Sequence, residues 1–177
     1  MQALIVVDVQ NDFCPGGALA VGDGDGVLEP INRLAAEASF VVATRDWHPP
    51  AHGSFAAEGG PWPAHCVRDT PGASLHPGID VDRIDAIVDK GQAPDAEGYS
   101  AFEGTDLERV LRDRGVDTVD VAGLALDYCV KATALDARRA GFDVVVHRGA
   151  TRAVEVHDGD GECAIEELRA AGVEVVD

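Results

Sequence analysis

Short apolar, largely β-branched runs recur at wide intervals: Ala3 to Val7, Phe40 to Thr44, Ala86 to Val88, Thr118 to Ala122, Asp143 to His147 and Val173 to Val176. This spacing constrains the fold more than any other feature of the chain. Each run has the length and composition of a strand, and the gaps are too long for hairpins. Between most of them lie stretches with helical period. One covers Val27 to Ala38. A second opens with Thr105 and Glu108 in capping-box spacing and runs to Arg114, before Gly115. A third covers Asp127 to Ala140, with Arg138 and Arg139 in its last turn and Gly141 beyond. The fourth covers Gly161 to Ala171. Strands alternating with helices predict a parallel sheet covered by helices on both faces.

At 177 residues, one domain over positions 1–177 is the expectation. A hydrophobic share of 46% with 26% charged residues excludes a disordered or fibrous chain. Fourteen Lys and Arg against 32 Asp and Glu give a net charge of -18, which repels phosphate backbones and anionic lipid, so no nucleic acid and no membrane partner is expected. Ala3 to Val7 is too short for a membrane span and lacks the basic flank of a signal peptide, so the expected compartment is cytoplasmic. Cys14, Cys66, Cys129 and Cys163 are scattered, unlike the staples of a secreted scaffold. Gly22 to Gly26 and Asp158 to Gly161 read as helix-initiating turns, since neither has the spacing of a phosphate or calcium loop. Asp46 to Gly78, rich in Pro and Gly, reads as one long irregular loop, and loops of that length are usually functional.

In a parallel sheet, reactive side chains gather beyond the carboxyl ends of the strands. Asp8 follows the first run, Asp46 and His48 the second, Lys90 the third, and Cys129 stands just past the fourth. A thiol in the first turn of a helix feels the positive dipole end, which predicts a depressed pKa; a buried structural cysteine is the alternative for this segment, and the reading for Cys14, Cys66 and Cys163. Asp8 either moves a proton or caps a turn. Lys90, in an apolar context, requires acidic partners. Asp46 and His48 are two apart and share one side of an extended segment, so they can share a metal ion; His52 and His65 lie in the same loop. Pro49 and Pro50 bar a helical pairing of His48 with His52. An Asp/His/His set suits Zn, Fe(II) or Mn, and solvent-facing loop histidines are the alternative.

The segments MQALIVVDVQNDFCPGGALAV, RDWHPPAHGSF, WPAHCV, VDKG, YSAF and GLALDYCVKATALDA resemble, in order and along most of the chain, the nicotinamidase/pyrazinamidase branch of the isochorismatase-like cysteine hydrolases. The resemblance implies a doubly wound α/β fold with about six parallel strands. It implies metal-dependent hydrolysis of nicotinamide, and of pyrazinamide, through a thioester, with a small aromatic amide as the partner molecule and a monomer or homo-oligomer as the working form. Position by position it implies Asp8, Lys90 and Cys129 as catalytic residues. Ala125 and Cys129 N–H groups correspond to the oxyanion hole, and Phe13, Trp62, Tyr99 and Leu124 to substrate contacts. One divalent ion, Zn, Fe or Mn, falls to Asp46, His48 and His65, with His52 as a possible further ligand. The Leu124–Ala125 peptide falls where the family has a cis bond. Leu126 departs from the threonine of many relatives. The alternative is a related amide or ureido hydrolase of the same superfamily, which usually lacks the Asp46/His48/His65 set. An isochorismate-type vinyl-ether hydrolase has no need of Cys129, and an inactive binding protein has no need of an intact nucleophile and base.

Overall fold

The computed structural model describes all 177 residues. Six strands, β1 Gln2–Val7, β2 Val41–Asp46, β3 Ala86–Lys90, β4 Thr118–Leu124, β5 Asp143–Arg152 and β6 Glu174–Val176, form one sheet in the order β3-β2-β1-β4-β5-β6. Every pairing is parallel. The helices are α1 Leu28–Glu37, α2 Leu107–Asp113, α3 Lys131–Arg139 and α4 Asp160–Ala170. The parallel sheet with helices on both faces read from the strand spacing, and the doubly wound, six-stranded α/β fold that the resemblance implies, are both observed.

Alternation along each strand sorts the two cores. Ile5, Val7, Val119 and Val121 face Leu107 and Leu111 of α2, Ala134 and Ala137 of α3, and Ile165 and Leu168 of α4. Leu4, Val6 and Ala122 face the other way, toward Ile31 and Ala35 of α1 and the long loop after β2. Three helices therefore cover one face, while one helix and the loop cover the other. The chain runs from β1 outward through β2 to β3 and then returns to the far side of β1 as β4. That reversal opens a crevice at the carboxyl ends of β1 and β4, where ligands of such sheets bind. Close approach is needed there: a Cβ on Gly123 would sit 2.1 Å from the Val7 carbonyl, so only glycine lets β4 run beside the end of β1.

Several element ends differ from the sequence reading. β2 continues to Asp46, β4 to Leu124 and β5 to Arg152, because the parallel ladders run on through Asp46 beside Lys90, Gly123 beside Thr151 and Leu124 beside Arg152, which the apolar pattern alone could not show. The capping box does not form. Asp106 occupies the N-cap, Thr105 donates its hydroxyl to Ala101 O at 2.5 Å, and Glu108 lies by Arg112 at 3.6 Å. The helix expected from Asp127 is divided into a π-helical turn, Leu126–Val130, and α3, with Gly141 at φ +89° beyond its end. Gly24–Val27 and Gly159 do initiate α1 and α4. No helix is long and apolar enough to cross a membrane.

Candidate active site and metal centre

Asp8 leaves β1 with a left-handed φ of +49°, a costly conformation for a non-glycine residue, and Thr44 of β2 holds it from both sides. The Thr44 hydroxyl donates to Asp8 Oδ1 at 2.6 Å and accepts the Asp8 N–H at 3.2 Å. Parallel register places Asp46 of β2 beside Lys90 of β3. The Lys90 ammonium reaches across β2 to lie 2.8 Å from Asp8 Oδ2, and it donates to Asp46 Oδ1 at 2.5 Å, to Gly98 O at 2.5 Å and toward Cys129 Sγ at 3.4 Å. Asp8 and Lys90 are 0% and 1% exposed, so this charge cluster is almost wholly out of water.

Burial sets the electrostatics. It opposes the Lys90 charge, but Asp46 and Asp8 outweigh it and hold the ammonium well above the ordinary lysine pKa. Burial raises Asp8, and Lys90 offsets only part of that. Burial also opposes the Asp46 charge, yet Lys90, His48 and His65 hold that carboxyl well below the ordinary range. The depressed thiol pKa expected from the sequence is not found. Burial pushes Cys129 well above the ordinary thiol value, Lys90 pulls it down, and Asp8 and Asp46 push it up again. A helix end outside a dense carboxylate cluster lowers a thiol; this thiol sits in a π turn within one.

Asp46, His48 and His65 bring ligating atoms within 4.8 Å of one another. His48 Nδ1 lies 2.9 Å from Gly91 O and His65 Nδ1 2.8 Å from Pro63 O, so each ring donates outward and turns Nε2 inward. The two Nε2 atoms lie 3.2 and 3.7 Å from Asp46 Oδ2. Three buried acceptors within 4.8 Å of one another can share one cation, and a carboxylate with two imidazoles is a donor set that fits a divalent metal. Asp8, Asp46 and Cys129 also converge, but the Lys90 ammonium already lies among them. His52 lies outside the ligand set. Its ring stacks on His48 with centroids 3.9 Å apart, a proximity made by a turn through Pro49 and Pro50 rather than a helix, and its Nδ1 lies 2.7 Å from Ser54 Oγ.

A cavity of about 40 Å³ opens onto Cys129, and Asp46 and His65 share its lining. Phe13, Trp62 and Tyr99 line it as the sequence suggested, and Trp62 donates its indole N–H to the Tyr99 hydroxyl at 3.0 Å. Leu124 does not line it: its side chain is fully buried in the core on the α1 side. The Leu124–Ala125 peptide is cis. The Ala125 carbonyl accepts from Tyr128 and Val130 N–H, whereas the Ala125 N–H donates to no protein acceptor. Leu126 packs into the three-helix core, so hydrophobic contact replaces whatever bond a threonine would make there. Leu19, Val21, Tyr128 and Val154 also line the cavity and escaped the sequence reading. Tyr128 was discoverable beside Cys129, whereas Val154 is 25 residues distant and carried no signal. Gln10 was missed too: its buried amide accepts from Asp46 N and donates to Asp46 O, both at 2.8 Å, fixing the strand end that presents this carboxylate. A larger groove of about 470 Å³ lies between α1 and β5 near Arg33, Glu37 and His147 and contains no nucleophile.

A buried thiol beside a carboxylate and an ammonium, at the switch point of a parallel sheet, defines a cysteine-hydrolase architecture. The chain belongs to the isochorismatase family: the model described as the Isochorismatase domain matches residues 2–177. Within the family it is similar to the nicotinamidase/pyrazinamidase of Mycobacterium tuberculosis, 46% identical over 99% of this chain and 98% of the relative. The structure of the Pyrococcus horikoshii pyrazinamidase in complex with zinc is 46% identical, with a TM-score of 0.93 over 99% of this chain and 98% of that one. That of PnC1 from L. infantum in complex with nicotinate is 41% identical, with a TM-score of 0.95 over 100% and 92%.

Proposed function

We propose that this chain, as one domain over residues 1–177, hydrolyses nicotinamide to nicotinate and ammonia, and pyrazinamide likewise. The observation that carries the reading is Lys90: one ammonium touches the candidate base, the candidate nucleophile and a candidate metal ligand. It ties the reaction centre and the metal set into one site.

Asp8 takes the Cys129 thiol proton as Sγ attacks the carboxamide carbon. Burial lifts the pKa of both groups: Asp8 becomes the better proton acceptor and the thiol the poorer donor, so the proton moves as Sγ attacks rather than beforehand. The C–S bond forms while the carbonyl oxygen takes the electron pair and accepts from the Ala125 and Cys129 N–H groups. Asp8 returns the proton to the amide nitrogen, the C–N bond breaks and ammonia leaves, giving a thioester. Water then attacks the thioester as Asp8 accepts its proton; the C–S bond breaks and Asp8 reprotonates the thiolate. Lys90 remains charged throughout and stabilises the two carboxylates and the passing negative charge. A divalent ion held by Asp46, His48 and His65 supplies a Lewis acid for a ring lone pair; zinc, iron and manganese suit the donors, and the zinc complex of the Pyrococcus relative supports the first. Phe13, Trp62 and Tyr99 hold the ring. Four free cysteines suit a cytoplasmic setting.

The test is ammonia release from nicotinamide by the metal-loaded protein. We expect turnover in the wild type and a loss of at least about 10³-fold in Cys129→Ala. Substantial turnover by that variant overturns the assignment of the nucleophile.

A further inference from the structure

One part of the cavity wall does not come from the strand ends that supply the chemistry. Val154 stands in the loop between β5 and α4 and reaches the cavity beside Cys129. Asp127 fixes its position. This buried residue lies two positions before Cys129 in the same π-helical turn, and its carboxylate accepts the Val154 N–H at 2.8 Å and the Glu155 N–H at 3.0 Å. The loop turns there, with Glu155 at a left-handed φ of +55°. The Glu155 carboxylate folds forward onto the start of α4, accepting from Gly159 N–H at 2.7 Å and Gly161 N–H at 3.0 Å. A Cβ on Gly161 would lie 2.6 Å from Glu155 Oε1, so a larger residue there displaces this carboxylate from its bond. The loop is thus tethered at one side to the turn that carries the thiol and at the other to α4.

We propose that Asp127 is a positioning residue that, together with Glu155, sets Val154 as the size-determining wall of the acyl pocket. The inference rests on the reading of the site as an aromatic-amide hydrolase. The carbonyl carbon must come within bonding distance of Cys129 Sγ, so the attached ring falls in the space bounded by Val154. One carboxylate sets the distance from that wall to the nucleophile. A cavity of about 40 Å³ leaves little slack, and a displacement of the loop by a fraction of an ångström admits a substituent that the native wall rejects.

The test compares kcat/KM for nicotinamide with kcat/KM for nicotinamides bearing a methyl group at each free ring carbon in turn. The proteins are the wild type, Asp127→Asn, Glu155→Ala, Gly161→Ala and Val154→Ala. We expect the methylated-to-parent ratio to rise about tenfold for at least one ring position in all four variants, with nicotinamide itself losing through KM more than through kcat. Asp127→Asn combined with Glu155→Ala should add little to the larger single effect, since both release one loop. A second measurement needs no amide substrate: the ratio of Cys129 alkylation by N-benzyl and by unsubstituted haloacetamide should rise in the same variants. Unchanged ratios in Val154→Ala, which alters neither tether, overturn the proposal. So does a loss of kcat in Asp127→Asn equal for all substrates with Glu155→Ala silent, which assigns Asp127 to the thiol turn alone. Wild-type inactivity on nicotinamide with shifted alkylation ratios retains the wall and overturns the substrate assignment.

Discussion

Lys90 has no access to water and keeps its charge only because Asp8 and Asp46 surround it. Removing it should therefore cost more than a lost contact: Lys90→Met takes away the cation that two buried carboxylates share, leaving Asp8 to Thr44 and Asp46 to the two histidines, and we expect a destabilisation of about 3–5 kcal/mol by denaturant titration. A fall below about 1 kcal/mol would show that the carboxylates find other partners. The raised pKa of Asp8 has a kinetic consequence. A base must be deprotonated to act, so activity is lost as pH falls through its folded pKa, and the acid limb of kcat/KM should lie above the ordinary carboxylate value of 3.8. A limb at or below that value in the metal-loaded enzyme contradicts the role given to Asp8. The cysteines separate by environment. Cys163 is exposed, whereas burial and nearby Asp25 push Cys14 up to about 11 and burial pushes Cys66 well above the thiol range. Iodoacetamide at pH 8 should label Cys163 first, Cys129 slowly and in a manner slowed by nicotinate, and Cys14 and Cys66 only on unfolding. Mass mapping of the adducts decides the order.

At the scale of elements, the long loop after β2 brings His65 to His48 through a bridge between His48 and Val67, with Phe55 set edge-on to both rings. Its conformation is held by backbone pairing rather than by a helix, so the ligand set depends on the loop more than on the sheet. We expect His65→Ala to lose most of its bound metal and His52→Ala to lose less, because His52 stacks behind His48 and stands outside the set. Equal losses by elemental analysis would give His52 the rank of a ligand. If the ion orients the ring through its nitrogen, chelation should also shrink the preference for nicotinamide over benzamide, and restoring the metal should restore it. The helices act differently. Leu168 of α4 is fully buried against the sheet. Leu168→Ala should cost about 2–5 kcal/mol while leaving the KM for nicotinamide unchanged at a permissive temperature, as α4 supports the fold and touches the cavity only through its preceding loop.

At the scale of the molecule, a net charge of -18 on 177 residues means self-repulsion in the folded state. Raising ionic strength from about 0.01 M to about 0.15 M shortens the screening length from about 30 Å to about 8 Å. The thermal midpoint should therefore rise with salt, as calorimetry can show. A fall would mean that surface pairs such as Arg33–Glu29 and Arg109–Asp106 outweigh the repulsion.

The sequence by itself determined the layer architecture. Six apolar runs separated by crossover-length segments admit little besides a parallel sheet, since hydrophobic periodicity and chain reach are local quantities. It also exposed Asp8, Asp46, His48, Lys90 and Cys129, because residues at strand ends are set by strand length alone. Other features depended on distance through space. The thiol's raised pKa comes first from burial and then from Asp8 and Asp46, 121 and 83 residues away in sequence, and no helix-end argument contains either. Leu124 turned inward because alternation on β4 directs it to the α1 core. The capping box failed because the Thr105 oxygen accepts from Leu107 N–H and Glu108 lies by Arg112. Val154 entered the cavity because Asp127 holds its backbone there. Burial and long-range pairing are properties of the packed chain, and only the tertiary structure decided them.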